Sequence, residues 1–193
     1  NSCLRLEEAY LSSSVQSIAN VFSGSTVKKV TVEEDHPAFK TDEKGQLLTS
    51  VDGTNIILVL GEITGKYIIP DNVVQISDNA FQKQASMTGV YIPDTVKYIG
   101  DYAFDSCYSL TDVEFAENVK LTDLGAGAFA KCLALKKITL PYAENVGDNS
   151  KPAQGYTGIF GYCVNLEEVM LSDDMDTISH NMFCYTLSLK SIN

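Results

Sequence analysis

The sequence is poor in cationic side chains and contains no long apolar run. Its 14 lysines and arginines stand against 25 aspartates and glutamates, which gives a formal net charge of -11 at pH 7. A surface of that sign repels phosphate backbones and anionic lipid headgroups. No apolar stretch approaches the length of a membrane-spanning helix. We therefore expect no nucleic-acid partner and no membrane insertion by this segment.

Motifs for catalysis and metal binding are also missing. The only two histidines, His36 and His180, lie far apart in the sequence, and no GxSxG, HExxH or glycine-rich phosphate loop is present. The acidic clusters at residues 33–35 and 173–176 lack the spacing of a known calcium loop, so solvated turns are the better interpretation. We expect no catalytic residue, no metal ion and no cofactor.

What the sequence does contain is a repeat. The segment from Ile92 to Phe115, IPDTVKYIGDYAFDSCYSLTDVEF, is one complete copy. If the phenylalanine of its Ala-Phe pair is taken as the origin, the frame recurs three, six and nine positions later around Phe81, Phe104, Phe129, Phe160 and Phe183, and eleven positions later around the first four. The origins Phe81 and Phe104 are 23 residues apart, as are Phe160 and Phe183. A period in the twenties is typical of a leucine-rich-repeat solenoid.

Each position in the repeat predicts a structural role. The residues nine and eleven positions after the origin, such as Val113 and Phe115, alternate with polar ones, which predicts a short strand with one buried face. Strands of successive repeats would stack about 4.8 Å apart in a parallel sheet. The Ala-Phe pair predicts a helical turn on the other side. The predicted fold class is an α/β repeat solenoid, a right-handed leucine-rich-repeat superhelix of roughly six or seven turns.

The segment quoted above, with its Pro, Val, Ile, Ala-Phe, Cys and Leu positions, resembles the BspA-type leucine-rich repeats of bacterial surface proteins. Matching segments cover most of the chain. The resemblance implies a curved solenoid at the cell surface or secreted, often with a role in adhesion or substrate capture. It implies no particular ligand, because the ligands of such proteins are diverse.

The five cysteines follow the repeat and show no CxxC spacing. Cys107, Cys132 and Cys163 each lie three residues after an origin, and Cys3 fits the same position. A small apolar residue at an equivalent place in each repeat predicts an interior ladder of free thiols, although neighbouring members could pair. Cys184 lies off this frame and is expected to be partly exposed.

We expect residues 1–193 to form a single leucine-rich-repeat domain. Residues 1–11 match the second half of a repeat and residues 12–32 a degraded copy, while the last copy stops at Ile192 and Asn193. The repeats thus begin and end within a unit, and solenoids are normally capped at both ends. We therefore expect the domain to be part of a longer chain.

Two stretches break the period. In residues 33–66 apolar runs flank the sequence SVDGTN, whose Asp52-Gly53 pair is a turn signal, so an inserted β-hairpin is predicted. Residues 147–158, GDNSKPAQGYTG, are rich in Gly, Asn, Ser and Pro, which predicts an inserted surface loop. Such a loop is either tolerated without a role or carries function.

The candidate functional residues are those that alternate with the buried strand positions and so face outwards. Tyr10, Tyr91 and Met170 stand out, because aromatic residues and methionine are enriched at contact surfaces. Single exposed apolar side chains are nevertheless normal on any protein. The predicted partner-binding face consists of Glu8, Tyr10, Lys29, Thr31, Tyr91, Asp112, Glu114, Lys137, Thr139, Glu168 and Met170.

These observations predict a non-enzymatic binding module of a bacterial cell-surface or secreted protein. Its partner would be a host or bacterial surface protein or glycan, recognised through the sheet face, because solenoid faces form extended binding surfaces. The alternative is a structural spacer array that positions a neighbouring domain. An enzyme is a third hypothesis, and it requires a pocket with a histidine or paired carboxylates of perturbed pKa. The sequence assigns no oligomeric state.

Overall fold

The structure, a computed structural model, describes residues 6–18, 22, 27–147 and 158–193. The predicted position of Cys3 and most of the predicted loop at 147–158 lie outside the described residues. The described residues form short strands joined by turns. In chain order the strands are β1 (Glu8–Leu11), β2 (Lys29–Val32), β3 (Phe39–Thr41), β4 (Leu47–Ser50), β5 (Asn55–Val59), β6 (Gly65–Ile68), β7 (Gln75–Ile76), β8 (Met87–Ile92), β9 (Tyr98–Ile99), β10 (Asp112–Phe115), β11 (Lys120–Leu124), β12 (Lys137–Leu140), β13 (Tyr142–Val146), β14 (Glu168–Leu171) and β15 (Ser191–Ile192).

The predicted stack of parallel strands is confirmed. Equivalent residues of successive repeats pair directly, for example Val90 of β8 with Val113 of β10. These strands, which we term the front strands, fall into three sheets, β1-β2, β6-β8-β10 and β12-β14-β15. Alternate residues of each strand point into the interior because strand side chains alternate between faces. The buried Val90 and Val113 follow this pattern.

The opposite wall of the solenoid is a second sheet, which the sequence interpretation did not predict. In this rear sheet β7, β9, β11 and β13 pair in parallel, so that Ile76, Ile99 and Leu124 come side by side. The sheet has seven strands in the order β13-β11-β9-β7-β5-β4-β3. Two of its strands have only two residues, too few to show an alternation that sequence analysis could detect.

The helical part of the predicted α/β class is wrong, because the described residues contain no helix. Around the origin Phe104, the backbone φ is positive at Tyr102 and at Ser106, at 56° and 62°. Phe104 donates its N–H to the carbonyl of Ala128 in the next repeat at 2.8 Å. An α-helix needs that N–H for a bond to residue i−4 of its own segment. The Ala-Phe segment therefore forms backbone hydrogen bonds with the next repeat instead of forming a helix.

The core is built around a column of the origin phenylalanines. The ring centroids lie 5.0 Å apart for Phe81 and Phe104, and 5.2 Å apart for Phe104 and Phe129. The column continues with Phe160 at 6.0 Å and ends with Phe183 at 5.9 Å. The first four rings are fully buried. Repeats of this kind cannot bury their apolar face alone, so each one covers the next.

A ladder of free thiols runs beside the phenylalanine column. Cys107, Cys132 and Cys163 are buried and free, whereas Cys184 is partly exposed. Each buried thiol lies close to the origin carbonyl of the preceding repeat, and the Sγ of Cys107 donates to the Phe81 oxygen at 3.2 Å. The equivalent bond from Cys163 to Phe129 measures 3.0 Å. The cysteine position thus satisfies a carbonyl as well as filling space.

The inserted segment is an antiparallel meander that joins the rear sheet. β3 pairs with β4, and β4 pairs with β5 across the turn at residues 51–54. β5 then pairs in parallel with β7 and so begins the rear stack. A small second core, separate from the main one, lies beneath β1, β2 and this meander, and its buried members are Leu11, Val27, Val30, Phe39 and Leu48.

Candidate partner-binding face

The structure divides the predicted face into two patches. Glu8 and Tyr10 pair in register with Lys29 and Thr31 on β1 and β2. All four are exposed, and Tyr10 has 62% of its surface accessible. They form a sheet of their own, next to the meander rather than in a sheet with the other predicted residues. We call them the N-terminal patch.

The other seven predicted residues lie on β8, β10, β12 and β14. The backbone registers place Tyr91 beside Glu114, and Thr139 beside Met170. Asp112, Glu114, Lys137, Thr139 and Met170 are exposed, while Tyr91 and Glu168 are half-buried. β12 follows β10 in the stack. Together with Lys66 and Ile68 of β6, these seven residues form what we call the front face.

The sequence interpretation missed Lys66 and Ile68. Ile68 pairs with Tyr91 and is the most exposed apolar residue of the front face, with 67% of its surface accessible. Both residues alternate with Tyr67 and Ile69, which do follow the repeat pattern. The signal was therefore present, because Tyr67 and Ile69 mark the strand that follows the insertion, but the predicted face did not include the outward residues of this strand. Ile68, Tyr91 and Met170 give the front face three large side chains with apolar surface.

Lys66 neutralises the carboxylates at the centre of the front face. Its Nζ lies 2.5 Å from the Oε2 of Glu114 and 3.3 Å from the Oδ2 of Asp112. The hydrogen bonds to Glu114 and to Asp112 raise the pKa of the Lys66 ammonium. The side chain reaches them over Gly89, where an added Cβ would lie 3.2 Å from the Lys66 Cγ. Glycine at this position leaves the space through which the lysine crosses β8.

A second ion pair lies on the neighbouring strands. The Nζ of Lys137 on β12 is 2.7 Å from the Oε2 of Glu168 on β14. Exposed ion pairs of this kind contribute only ~0.2–1 kcal/mol to stability. Their effect here is on the surface, because paired charges leave the front face almost neutral within a chain whose net charge is -11. The front face therefore has little local excess charge with which to select a charged partner.

The histidines do not come together in a catalytic arrangement. His36 is buried beneath β3, where its Nδ1 accepts the backbone N–H groups of Ala38 and Phe39 at 3.1 and 3.2 Å. Its Nε2 lies 3.1 Å from the Ser12 carbonyl, so the proton resides on Nε2. His180 is exposed at the far end of the stack. Among the described residues, no group of three His, Cys, Asp or Glu side chains is placed to hold a metal ion.

An acidic groove of about 730 Å³ runs across the rear sheet. Asp78, Asp101, Asp123 and Glu144 contribute carboxylates to it. The Oδ1 of Asp78 accepts the Asp101 N–H at 2.9 Å, and the Oδ1 of Asp101 accepts the Ala126 N–H at 2.8 Å. Two of the four carboxylates therefore connect one repeat to the next. This structural role explains why aspartate recurs at this position, and no ligand is needed to account for it.

The chain belongs to the BspA-type leucine-rich repeat family, since the family's repeat model matches residues 74–193 in six copies. The resemblance proposed from the sequence is thereby confirmed. No curated protein matches the chain. The described residues form no helix that could cross a membrane.

Solved structures with the same fold come from several bacteria. A leucine-rich cell-surface protein of Faecalibacterium prausnitzii is 25% identical over 97% of this chain, with a TM-score of 0.76. The pneumococcal vaccine antigen PcpA is 22% identical over 97%, also with a TM-score of 0.76, which shows the fold alone. A leucine-rich repeat protein of Bacteroides capillosus is 29% identical over 70% of this chain and 99% of its own, with a TM-score of 0.52.

The chain spans about half the length of the first two of these proteins, 47% of one and 44% of the other. The likeness therefore identifies the fold of this chain and does not identify the activity of a whole protein.

Proposed function

We propose that the chain is a non-enzymatic binding module of a bacterial cell-surface or secreted protein, and that it recognises a protein or glycan partner through its front face. The observation that carries this proposal is the accessible apolar surface of the exposed Ile68 and Met170 and the half-buried Tyr91, which lie on β6, β14 and β8. The charged residues around them are already paired. Desolvating such a surface is less costly than desolvating free charges. A surface location is supported by the cell-surface protein of Faecalibacterium prausnitzii, which is similar over 97% of this chain.

The test is a binding screen of the folded protein against extracellular-matrix proteins and glycans. The decisive variant replaces Ile68, Tyr91 and Met170 with serine, and circular dichroism verifies that it folds. The matched control is Tyr10→Ser, because Tyr10 is also an exposed aromatic residue on a front strand but lies in the N-terminal patch. We expect the triple variant to lose binding and the control to keep it.

Equal binding by the triple variant and the parent protein would refute recognition through the front face. A screen without any ligand would favour the spacer array, in which the stacked repeats act only to hold a neighbouring domain at a distance.

A further inference from the structure

The front strands are not continuous between β10 and β12. These strands are neighbours in the stack but belong to different sheets. At the preceding junction Ala116 donates its N–H to the Ile92 carbonyl at 2.9 Å. The equivalent residue of the next repeat is Pro141, which has no N–H to donate to the Phe115 carbonyl. We call this junction the seam.

An open pocket of about 570 Å³ lies at the seam. This volume falls in the range of ~300–1,000 Å³ that is usual for small-molecule sites. Three successive repeats contribute to the walls, so the pocket depends on the stack rather than on one loop. The polar residues that line it and matter for the argument are Glu114, Asn118, Thr139, Tyr142, Ser172 and Asp174.

Several of these polar groups have capacity for a ligand. Within the described part of the chain, the side-chain polar atoms of Asn118, Thr139, Tyr142 and Asp174 have no hydrogen-bond partner. They comprise an amide, two hydroxyls and a carboxylate, which together donate and accept. Tyr142 is half-buried and also supplies aromatic surface beside Pro141. The pocket thus combines apolar surface with several unused hydrogen-bonding groups.

The charges at the pocket favour a neutral ligand. Lys66 already holds the carboxylates of Asp112 and Glu114. The remaining charged groups of the lining are Asp174 and Lys120, which have opposite signs. With Lys66 included, the charged groups at the pocket are three carboxylates and two ammonium groups. An anion would face an excess of negative charge, and a cation would gain only one carboxylate that is not already paired.

We propose that the seam pocket binds a neutral saccharide unit, such as a hexose or an N-acetylhexosamine of a glycan. The hydroxyls of a sugar both donate and accept hydrogen bonds, as the mixed lining requires, and its C–H faces suit the surface of Tyr142 and Pro141. The proposal rests on the function proposed above and narrows the partner to glycan. It also adds Tyr142, Asn118 and Asp174 to the residues of the site.

The experiment uses an array of neutral oligosaccharides, with sialylated and sulfated chains as charged counterparts. The neutral oligosaccharide that binds best is then titrated calorimetrically against variants. Asp174→Asn and Tyr142→Phe are conservative: the first replaces one acceptor oxygen of the carboxylate with an NH2 donor, and the second removes the hydroxyl. Their controls are Asp173→Asn, an exposed neighbour outside the lining, and Tyr98→Phe on the rear sheet.

We expect Kd to rise about tenfold for each pocket variant, which corresponds to ~1.4 kcal/mol, and to stay constant for both controls. Binding confined to the charged chains would overturn the proposal, and so would an array without any bound neutral chain. Neutral chains whose affinity is insensitive to the pocket variants but lost in the Ile68, Tyr91 and Met170 variant would overturn the pocket and leave the front-face function intact. The same conclusion would follow if the protein bound a protein partner through the front face and bound no glycan.

Discussion

The buried thiols have both a packing role and a hydrogen-bonding role at the scale of single residues. Cys132 donates to the Phe104 carbonyl at 3.3 Å, in the same way as its equivalents in the neighbouring repeats. Burial raises the pKa of the Cys107 thiol to about 12 and also raises that of Cys132. Both groups therefore remain protonated at neutral pH. Because the thiolate is the reactive species, these cysteines are chemically inert in the folded protein.

We predict that the thiols of Cys107, Cys132 and Cys163 do not react with a thiol reagent at pH 8 until the protein unfolds. The test uses a variant in which Cys3 and Cys184 are replaced by serine, so that only the buried set remains. Labelling is measured by mass spectrometry in buffer and in urea. Rapid labelling of any of the three thiols in buffer would show that the thiol is not buried as described.

The turn of the inserted meander is organised by Asp52. The Ser50 hydroxyl donates to its Oδ1 at 2.6 Å, and the N–H and hydroxyl of Thr54 do so at 3.0 and 2.9 Å. The Ser50 hydrogen bond, followed by those from Thr54, lowers the pKa of Asp52 from 3.8 to about 2. A carboxylate with a lowered pKa stabilises the folded state above its unfolded pKa, and this contribution is lost as the pH falls through the folded value.

We predict that Asp52 titrates near pH 2 and that the turn loosens between pH 4 and 2. The carboxyl carbon shift of Asp52 in an NMR titration reports the pKa, and hydrogen exchange at Thr54 reports the loosening. Ser50→Ala should move the titration of Asp52 upwards, since it removes the largest cause of the shift. A midpoint of 3.8 in the parent protein would show that these hydrogen bonds do not form.

At the scale of the elements, the repeat frame predicted the front strands and failed for the rest. Val113 and its equivalents alternate with exposed residues over four positions, enough to define a strand and its buried face. The rear strand that contains Ile99 has two residues and shows no alternation. The Ala-Phe turn depends on backbone angles at Tyr102 and Ser106, and neither residue type indicates a positive φ.

The seam was equally hidden from the sequence. Pro141 occupies the same position as Ala116, but its effect becomes visible only when the paired strands are known. The residues of the pocket come from three repeats and have no common motif.

The left-handed backbone conformation of the Ala-Phe turn leads to a prediction about the stability of variants at Lys83. This exposed residue has a φ of 65° and donates its N–H to the Asp105 carbonyl at 2.8 Å. A β-branched side chain is strained there, so Lys83→Val should lower the free energy of unfolding by ~1–2 kcal/mol. Lys83→Gly should be nearly neutral, because relief of strain offsets the greater entropy of the unfolded chain.

Urea denaturation measures both variants against Gln75→Val, which places the same side chain at an exposed position of β7 without a positive φ. If Lys83→Val and Gln75→Val were equally stable, the turn would not have the conformation described.

At the scale of the whole molecule, stability depends on position along the phenylalanine column. Phe104 is sandwiched between two rings at 5.0 and 5.2 Å, whereas Phe183 has one ring neighbour within the described residues, at 5.9 Å, and is only half-buried. Nearest-neighbour contacts between repeats account for most of the stability of a solenoid. An origin between two rings should therefore matter more than one with a single ring neighbour.

We predict that Phe104→Ala lowers the free energy of unfolding by ~3–5 kcal/mol, as usual for a large cavity in a core. Phe183→Ala should cost less than half as much, because this ring is already half-buried and its loss leaves a smaller cavity. Urea denaturation followed by circular dichroism compares the two variants. Equal losses in the free energy of unfolding would mean that stability does not depend on the number of ring neighbours in the column.

The unequal continuity of the two walls has a mechanical consequence. The rear sheet runs unbroken from β3 to β13, while the front strands are interrupted at the meander and again at the seam. One wall of the solenoid is therefore continuous, and the other consists of separate sheets. A load that bends it acts first at the seam, where the repeats of Phe104 and Phe129 can tilt apart without breaking a front-strand hydrogen bond. Bending of the solenoid would then change the width of the seam pocket.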